Sequence, residues 1–448
     1  MTESKLISDL ETLKKTISGD LLLSSDHGYQ ASCYLFNRAI HKMPLMIVVI
    51  LDVTDIIKTI EFATKHHLPI SLRGGGHSIC GSCLIDGGVA IDMRALKTIN
   101  IDHDLKIVSV DAGVLNQELD HATQEHKLAL PLGTCSSVGV VGATLGGGIG
   151  FLSRKYGLTC DNAVQFTMLT AAGNLIKVNE HSYKDLFWAL RGAGSNQFGV
   201  ITQIDYQLHP MPELVYGGTI SWSINLANLI FKNYQKLMSD APDDLFLYIF
   251  TSSDQTSNPI ISVFGFYFGN RLKSEQLFSK LLNWAKPLTS DLKTRPYLEL
   301  QSAHYQEGLA IYWKHGFIDG PLTDKLTKLI IAVNKRCPVA SGGIMLDPLG
   351  GAINKVDRSS TAFIHRNSQY ICSITGLYAG DFVPDFVKDW VNESYQALSP
   401  FFNGNAYQNY EDIELDESRC YFGEHFERLK IIKSLYDPQN LFSGILSK

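Results

Sequence analysis

Nowhere does the chain carry an uninterrupted apolar run of roughly 18 residues, so no segment reads as a membrane-spanning helix. Residues 1–15 alternate charge and leucine as an amphipathic helix does. They lack both the apolar core and the small-residue cleavage site of a secretory signal. The expectation is a soluble, cytoplasmic protein. Basic charge is also scarce: Lys and Arg number 39 against 45 Asp and Glu, a formal net charge of −6, and no basic stripe stands out. That argues against nucleic acid as a partner and towards small molecules. The eight cysteines, from Cys33 to Cys420, lack the dense spacing of a disulfide framework. Internal repeats and low-complexity segments are absent as well.

Two common nucleotide-binding signatures are missing. A G-x-G-x-x-G fingerprint fails at Gly148-Ile149-Gly150, where Ser153 holds the last position, and at Gly192-Ala193-Gly194, where Gln197 does. No Gly-Lys-Ser/Thr occurs anywhere, which removes the P-loop.

What is present is a chain of 448 residues with 45% apolar and 19% charged side chains, long enough for two ordinary globular domains. Up to about residue 208, strands and helices alternate with glycine at the strand ends. Thr54 is placed to cap a helix over 55–66, strands are expected at 68–73, 89–93 and 106–112, and a helix over 115–126. A hairpin over 163–178 turns at Ala172-Gly173-Asn174. Beyond Pro210 and Pro212 the texture changes to aromatic-rich strands at 245–250 and 260–268, helices over 272–284 and 322–333, and further strands at 342–346 and 370–375. This reads as an α+β unit with an antiparallel sheet. A last helix stops at Asp437-Pro438.

Glycine-rich loops after strands offer backbone N–H groups to anionic oxygens and let the chain approach a flat ring closely. Two such loops stand out. One is Arg73-Gly74-Gly75-Gly76-His77-Ser78, followed by Gly81. The other, Gly133-Thr134-Cys135-Ser136-Ser137-Val138-Gly139, runs on through Gly142, Thr144, Gly146 and Gly150. His77 and Cys135 are the strong nucleophiles inside them. With Cys80 and Cys83 they could also supply one nitrogen and three sulfurs to zinc. Structural zinc sites, however, come as two closely spaced pairs, and Cys80-Gly81-Ser82-Cys83 has no second half, so no metal is expected. A thioredoxin-type role fails for want of the strand-then-helix context.

The loops continue into Trp188-Ala189-Leu190-Arg191-Gly192-Ala193-Gly194 and Phe198-Gly199-Val200-Ile201-Thr202, then Tyr407-Gln408-Asn409-Tyr410-Glu411-Asp412 and Tyr436-Asp437-Pro438 to Asn440-Leu441-Phe442. In this order they resemble the berberine-bridge-enzyme-like branch of the vanillyl-alcohol oxidase flavoprotein superfamily. The resemblance covers nearly the whole chain. It implies an α+β fold: a two-part FAD-binding domain from 1–208 and 403–448, and an antiparallel-sheet substrate domain with helices at 209–402. It implies FAD attached through His77 to the 8α-methyl carbon and through Cys135 to C6 of the isoalloxazine. The cofactor-binding set is Arg73, Gly74, Gly75, Gly76, His77, Ser78, Gly81, Cys135, Val138, Gly139, Gly142, Thr144, Gly146, Gly150, Val200 and Asn409.

By the same resemblance Tyr410 is the general base and Tyr407 a second catalytic candidate; the alternative is that they are amphipathic packing residues of a strand. In an extended strand Tyr407 and Asn409 share one face and Tyr410 points the other way, so both phenols reach one ring only if the strand bends. Val138 occupies the position that controls oxygen access, and a valine there resembles the oxidases. The expected reaction removes a hydride from an alcohol, or from a C–H next to N, of a sugar or secondary metabolite, and passes electrons to O2 to give H2O2. Alternatives are a dehydrogenase with another acceptor, or a flavin-retaining binding protein without turnover. Two departures from the family pattern stand out: Ile79 where many relatives carry a substrate-touching aromatic, and Ala193 where glycine is usual. Tyr305, Tyr312, Trp313, His315 and His365 are candidates to line the substrate pocket.

Overall fold

The computed structural model describes residues 3–254, 256–302, 308–412, 414–415 and 418–447; Tyr305 lies outside them. Three sheets of four or more strands organise the described residues, beside a two-stranded pairing of His209–Pro210 with Leu128–Ala129. In the first, Met46–Val49, Val89–Asp92 and Ile70–Arg73 run parallel, with Leu21–Leu22 antiparallel at the edge. Every residue of Val89–Asp92 is buried, as expected of a parallel strand covered on both faces. The crossover helix Val53–His66 is capped by Asp52, whose carboxylate accepts from the Thr54 and Asp55 N–H groups. The expected cap at Thr54 is therefore corrected: the Asp52 carboxylate two residues earlier satisfies two of the orphan N–H groups, those of Thr54 and Asp55.

The second sheet is antiparallel, in the order Ile99–Asp102, Ile107–Asp111, Gly199–Gln207, Ala163–Thr170, Leu175–Asn179. Helix Lys184–Ala193 packs beside it. There Gly192 takes φ +120°, where an added Cβ would meet the Phe363 nitrogen at 2.4 Å. Ala193 is not among the positive-φ residues, so alanine fits at that position.

The third sheet has eight strands, all antiparallel, and includes Leu214–Ser223, Pro259–Tyr267, Leu245–Ser253, Gly343–Pro348, Tyr370–Ala379 and Leu309–Ile318 in that spatial order. Strict alternation sorts its two faces. Leu245, Leu247 and Ile249 join the core beneath helices Ala227–Met238 and Asp324–Asn334, while Phe246 packs with Phe151, Phe264 and Phe266 on the other side. Along Leu309–Ile318 the same alternation aims Ile311 and Trp313 at Ile79, and Tyr312 at the helix side. The segment after residue 402 returns to the first sheet, where the Ile70 N–H donates to the Leu441 carbonyl at 3.0 Å. Its Tyr421, Phe422, Leu441 and Phe442 join the same core as Met46 and Val89. Among the described residues no helix is long and apolar enough to cross a membrane.

Candidate active site

Two glycines bring the two loops into contact. A Cβ on Gly75 would come within 2.4 Å of the Gly139 nitrogen, and one on Gly139 within 2.6 Å of the Gly75 nitrogen. Only a pair of glycines allows this approach. The consequence is chemical: His77 Nε2 shares a hydrogen bond of 2.9 Å with Ser137 Oγ, and Cys135 Sγ lies 3.5 Å from the same hydroxyl. The Cys135 loop is held from below by Asn116, whose amide donates to the Gly133 and Cys135 carbonyls. The His77 ring stacks on Phe36 at 4.0 Å. Burial lowers its pKa to about 4, so at neutral pH the imidazole is uncharged and keeps a lone pair for bonding.

The opposite wall is a turn. Instead of the expected strand, residues Gln408–Tyr410 form a 3₁₀ turn in which the Tyr410 N–H donates to the Tyr407 carbonyl at 2.9 Å. The turn swings both phenols to one side, with ring centroids 5.0 Å apart. Tyr407 is 2% exposed, and its hydroxyl accepts from the Gly148 N–H at 3.0 Å and from Asn409 Nδ2 at 2.8 Å. Burial pushes its phenol well above the usual range, so it keeps its proton. Tyr410 leans on Trp313 at 4.3 Å and meets the edge of His315 at 5.7 Å. His315 accepts the Tyr407 N–H on Nε2 at 2.7 Å, and burial lowers its pKa to about 3.

Between these walls lies a cavity of about 400 Å³, within the size range of small-molecule sites. Gly74, Gly75, Gly76, His77, Ser78, Cys135, Val138, Gly139, Gly142, Tyr407, Asn409 and Tyr410 all line it. Arg73, Gly81, Thr144, Gly146, Gly150 and Val200 lie behind the lining. Arg73 donates to the Ser32 and Tyr34 carbonyls, and Thr144 bonds to Val140 and Tyr206. Of the pocket candidates, Trp313 reaches this cavity, Tyr312 lines a smaller chamber beside it, and the buried His315 and His365 line neither.

Sequence reasoning left Ser137, Phe36, Asn37 and Glu411 without roles, although Ser137 and Glu411 sit inside the motifs. No spacing rule marks a hydroxyl as the point where two distant side chains meet. Among the described residues no group of three or more His, Cys, Asp or Glu is placed to hold a metal.

The lining suits FAD. Ser71 Oγ is buried on the cavity wall without a protein partner, and an added Cβ on Gly142 would meet nothing within 4 Å. The uncharged His77 imidazole and the Cys135 thiol, both in contact with the Ser137 hydroxyl, line the same cavity.

The family described as FAD binding domain matches residues 44–179, and the family described as berberine and berberine like matches 406–445. An FAD-linked oxidoreductase of Dictyostelium discoideum is 30% identical over 415 residues, covering 91% of this chain and 89% of that one. The (R)-6-hydroxynicotine oxidase of Paenarthrobacter nicotinovorans is 25% identical over 446 residues, covering 95% and 96%. Among solved structures, berberine-bridge-enzyme-like 1 of Physcomitrella patens superposes with a TM-score of 0.89 at 25% identity, covering 98% of each chain. The 6-hydroxy-D-nicotine oxidase of Arthrobacter nicotinovorans does so at 0.87 with 26% identity, covering 95% and 97%. The two loops, the returning C-terminal segment and these likenesses agree: the chain belongs to the berberine-bridge-like FAD-linked oxidoreductases of the vanillyl-alcohol oxidase superfamily.

Proposed function

We propose that the protein is an oxidase that holds FAD covalently at two points, His77 on the 8α-methyl carbon and Cys135 on C6, and that Tyr410 takes the substrate's hydroxyl proton. In this reading residues 1–208 and 403–448 form the FAD unit and 209–402 the substrate unit. Bound FAD supplies the acceptor for a hydride from a C–H beside O or N, with O2 as the final acceptor and H2O2 as product. The observation that carries the reading is the convergence of His77 and Cys135 on one hydroxyl, on the wall of the cavity that Tyr410 also lines.

The chain's own residues have separable tasks. His77, uncharged, and Cys135 hold the cofactor. Tyr407 and Asn409 brace the turn, and Trp313 supports the Tyr410 ring. Ile79 and Trp313 form an apolar wall that keeps water from the reacting carbon. Val138 lines the cavity as the residue that admits O2. The substrate is a small alcohol or amine-bearing molecule, a sugar or secondary metabolite; relatives named for 6-hydroxynicotine and reticuline support that range.

Acid precipitation tests the attachment. Yellow colour should stay with the pellet in the wild type, and leave it only when His77→Ala and Cys135→Ala are combined. Colour in the wild-type supernatant would refute a covalent flavin. Oxygen uptake and peroxide release are then measured with 6-hydroxynicotine, reticuline and xylobiose. Tyr410→Phe should slow flavin reduction by about 10²-fold or more while the pellet stays yellow.

A further inference from the structure

Beside the main cavity lies a chamber of about 260 Å³, and the two share Ile79, Cys80, Trp313 and Glu411. Within that partition the Cys80 thiol donates to Glu411 Oε2 at 2.8 Å, linking residues 331 apart in sequence. Cys80 stands three residues after His77, and Glu411 directly follows Tyr410. We propose that Cys80 and Glu411 are positioning residues, whose thiol–carboxylate hydrogen bond sets the Tyr410 turn against the loop that carries His77. The proposal rests on the reading of His77 as an anchor and Tyr410 as the base.

Each end of the bond is itself fixed. On the Cys80 side, Gly81 takes φ +73°, and its N–H donates to the Ser78 carbonyl. Ser78 Oγ accepts from the Ser82 N–H at 2.9 Å and lies 3.4 Å from Cys80 Sγ. The turn leaves the sulfur little freedom. On the other side, the Glu411 N–H donates to the Gln408 carbonyl, closing the turn that carries Tyr410. Residues 407–409 are also tied to Gly148, Ala143, Gly192 and His315, which lie outside the His77 loop. Asn37 makes a parallel tie, donating to the Ile79 and Ile311 carbonyls and accepting from the Ile311 N–H. It holds the same loop to the strand that bears Trp313.

Stability alone does not account for the pair. A thiol is a weak donor, and a carboxylate 5% exposed carries a desolvation cost that an apolar residue would avoid. Burial, with Glu411 adding to it, pushes the Cys80 thiol up to about 12, so the proton stays on sulfur and the bond keeps its direction. What the pair supplies is register between two segments that must meet within a fraction of an ångström, where a 1 Å error costs on the order of 10²-fold in rate.

The test places 3-fluorotyrosine at position 410 of the holoprotein and reads its ¹⁹F resonance in the wild type, Cys80→Ala and Cys80→Ser. Cys80→Ala should shift and broaden the resonance and lower kcat on the order of tenfold, with little change in KM, on the compound the wild type oxidises best. Cys80→Ser, which keeps a donor, should restore both. Should Cys80→Ala fail to fold, Cys80→Val fills the space without a donor and carries the comparison. A wild-type resonance in the donor-less variant, or a serine variant no better than alanine, overturns the proposal. Colour should stay in the acid pellet of every variant. If the wild type itself loses its colour, the attachment reading fails, and the fluorine comparison still decides the role of the pair.

Discussion

At Gly146 a hydrogen atom decides whether Asn409 can reach its partners. A Cβ there would lie 1.9 Å from Asn409 Oδ1. That amide cannot step aside freely, because its nitrogen donates to the Ala143 carbonyl at 2.9 Å and to the Tyr407 hydroxyl at 2.8 Å. Gly146→Ala should therefore break both bonds and destabilise the fold by about 1–3 kcal/mol. Its effect on turnover should be larger than on stability, since Tyr407 and Tyr410 share the displaced turn. Urea unfolding beside oxygen uptake on the same preparation checks this, and equal losses in both would contradict it. Gly146 thus acts without touching the cavity, in the way Arg73 and Thr144 do from behind it.

Single elements depend on ties that cross the chain. Asn37, 2% exposed, is satisfied at both ends of its amide by Ile79, Ile311 and Ala39. Asn37→Ala would leave the Ile311 N–H and two carbonyls buried without partners, so a loss of about 2–5 kcal/mol is expected by denaturant titration. A value under about 1 kcal/mol would mean that water replaces the amide. Asn37 also marks where reading the chain stops short. Glycine loops, the hairpin at Gly173 and the aromatic strands were legible because each follows from local φ preferences or period-two burial. The pairing of residue 37 with residue 311, and of 80 with 411, leaves no local periodicity. The 3₁₀ turn at residues 408–410 was read as a strand because its spacing suits either form. The cap at Asp52 was missed because Thr54 offers equivalent local chemistry.

For the molecule as a whole, acid–base behaviour is set by groups buried far from water. Burial raises Asp347, on the strand Gly343–Pro348, to about 7. The sign follows from linkage. In the unfolded chain Asp347 ionises near 4, while in the native state it holds its proton to about 7, so its favourable contribution is present below pH 4 and lost as pH rises to 7. Asp347→Asn should match the wild type near pH 4 and exceed it by at least about 1 kcal/mol at pH 8.5. His315, lowered to about 3, acts with the opposite slope, so native stability is lost as pH falls from about 6.5. Urea midpoints for both proteins across that range separate the two; a constant gap between them would refute the assignment to Asp347. The cavity also has a history in time. Its Cys80 wall is translated 331 residues before Glu411, roughly half a minute of synthesis, and the Ile70–Leu441 bond that seals the first sheet comes later still. The flavin site is therefore a post-translational event in the literal sense: nothing can be enclosed there until the ribosome has finished the segment that closes it.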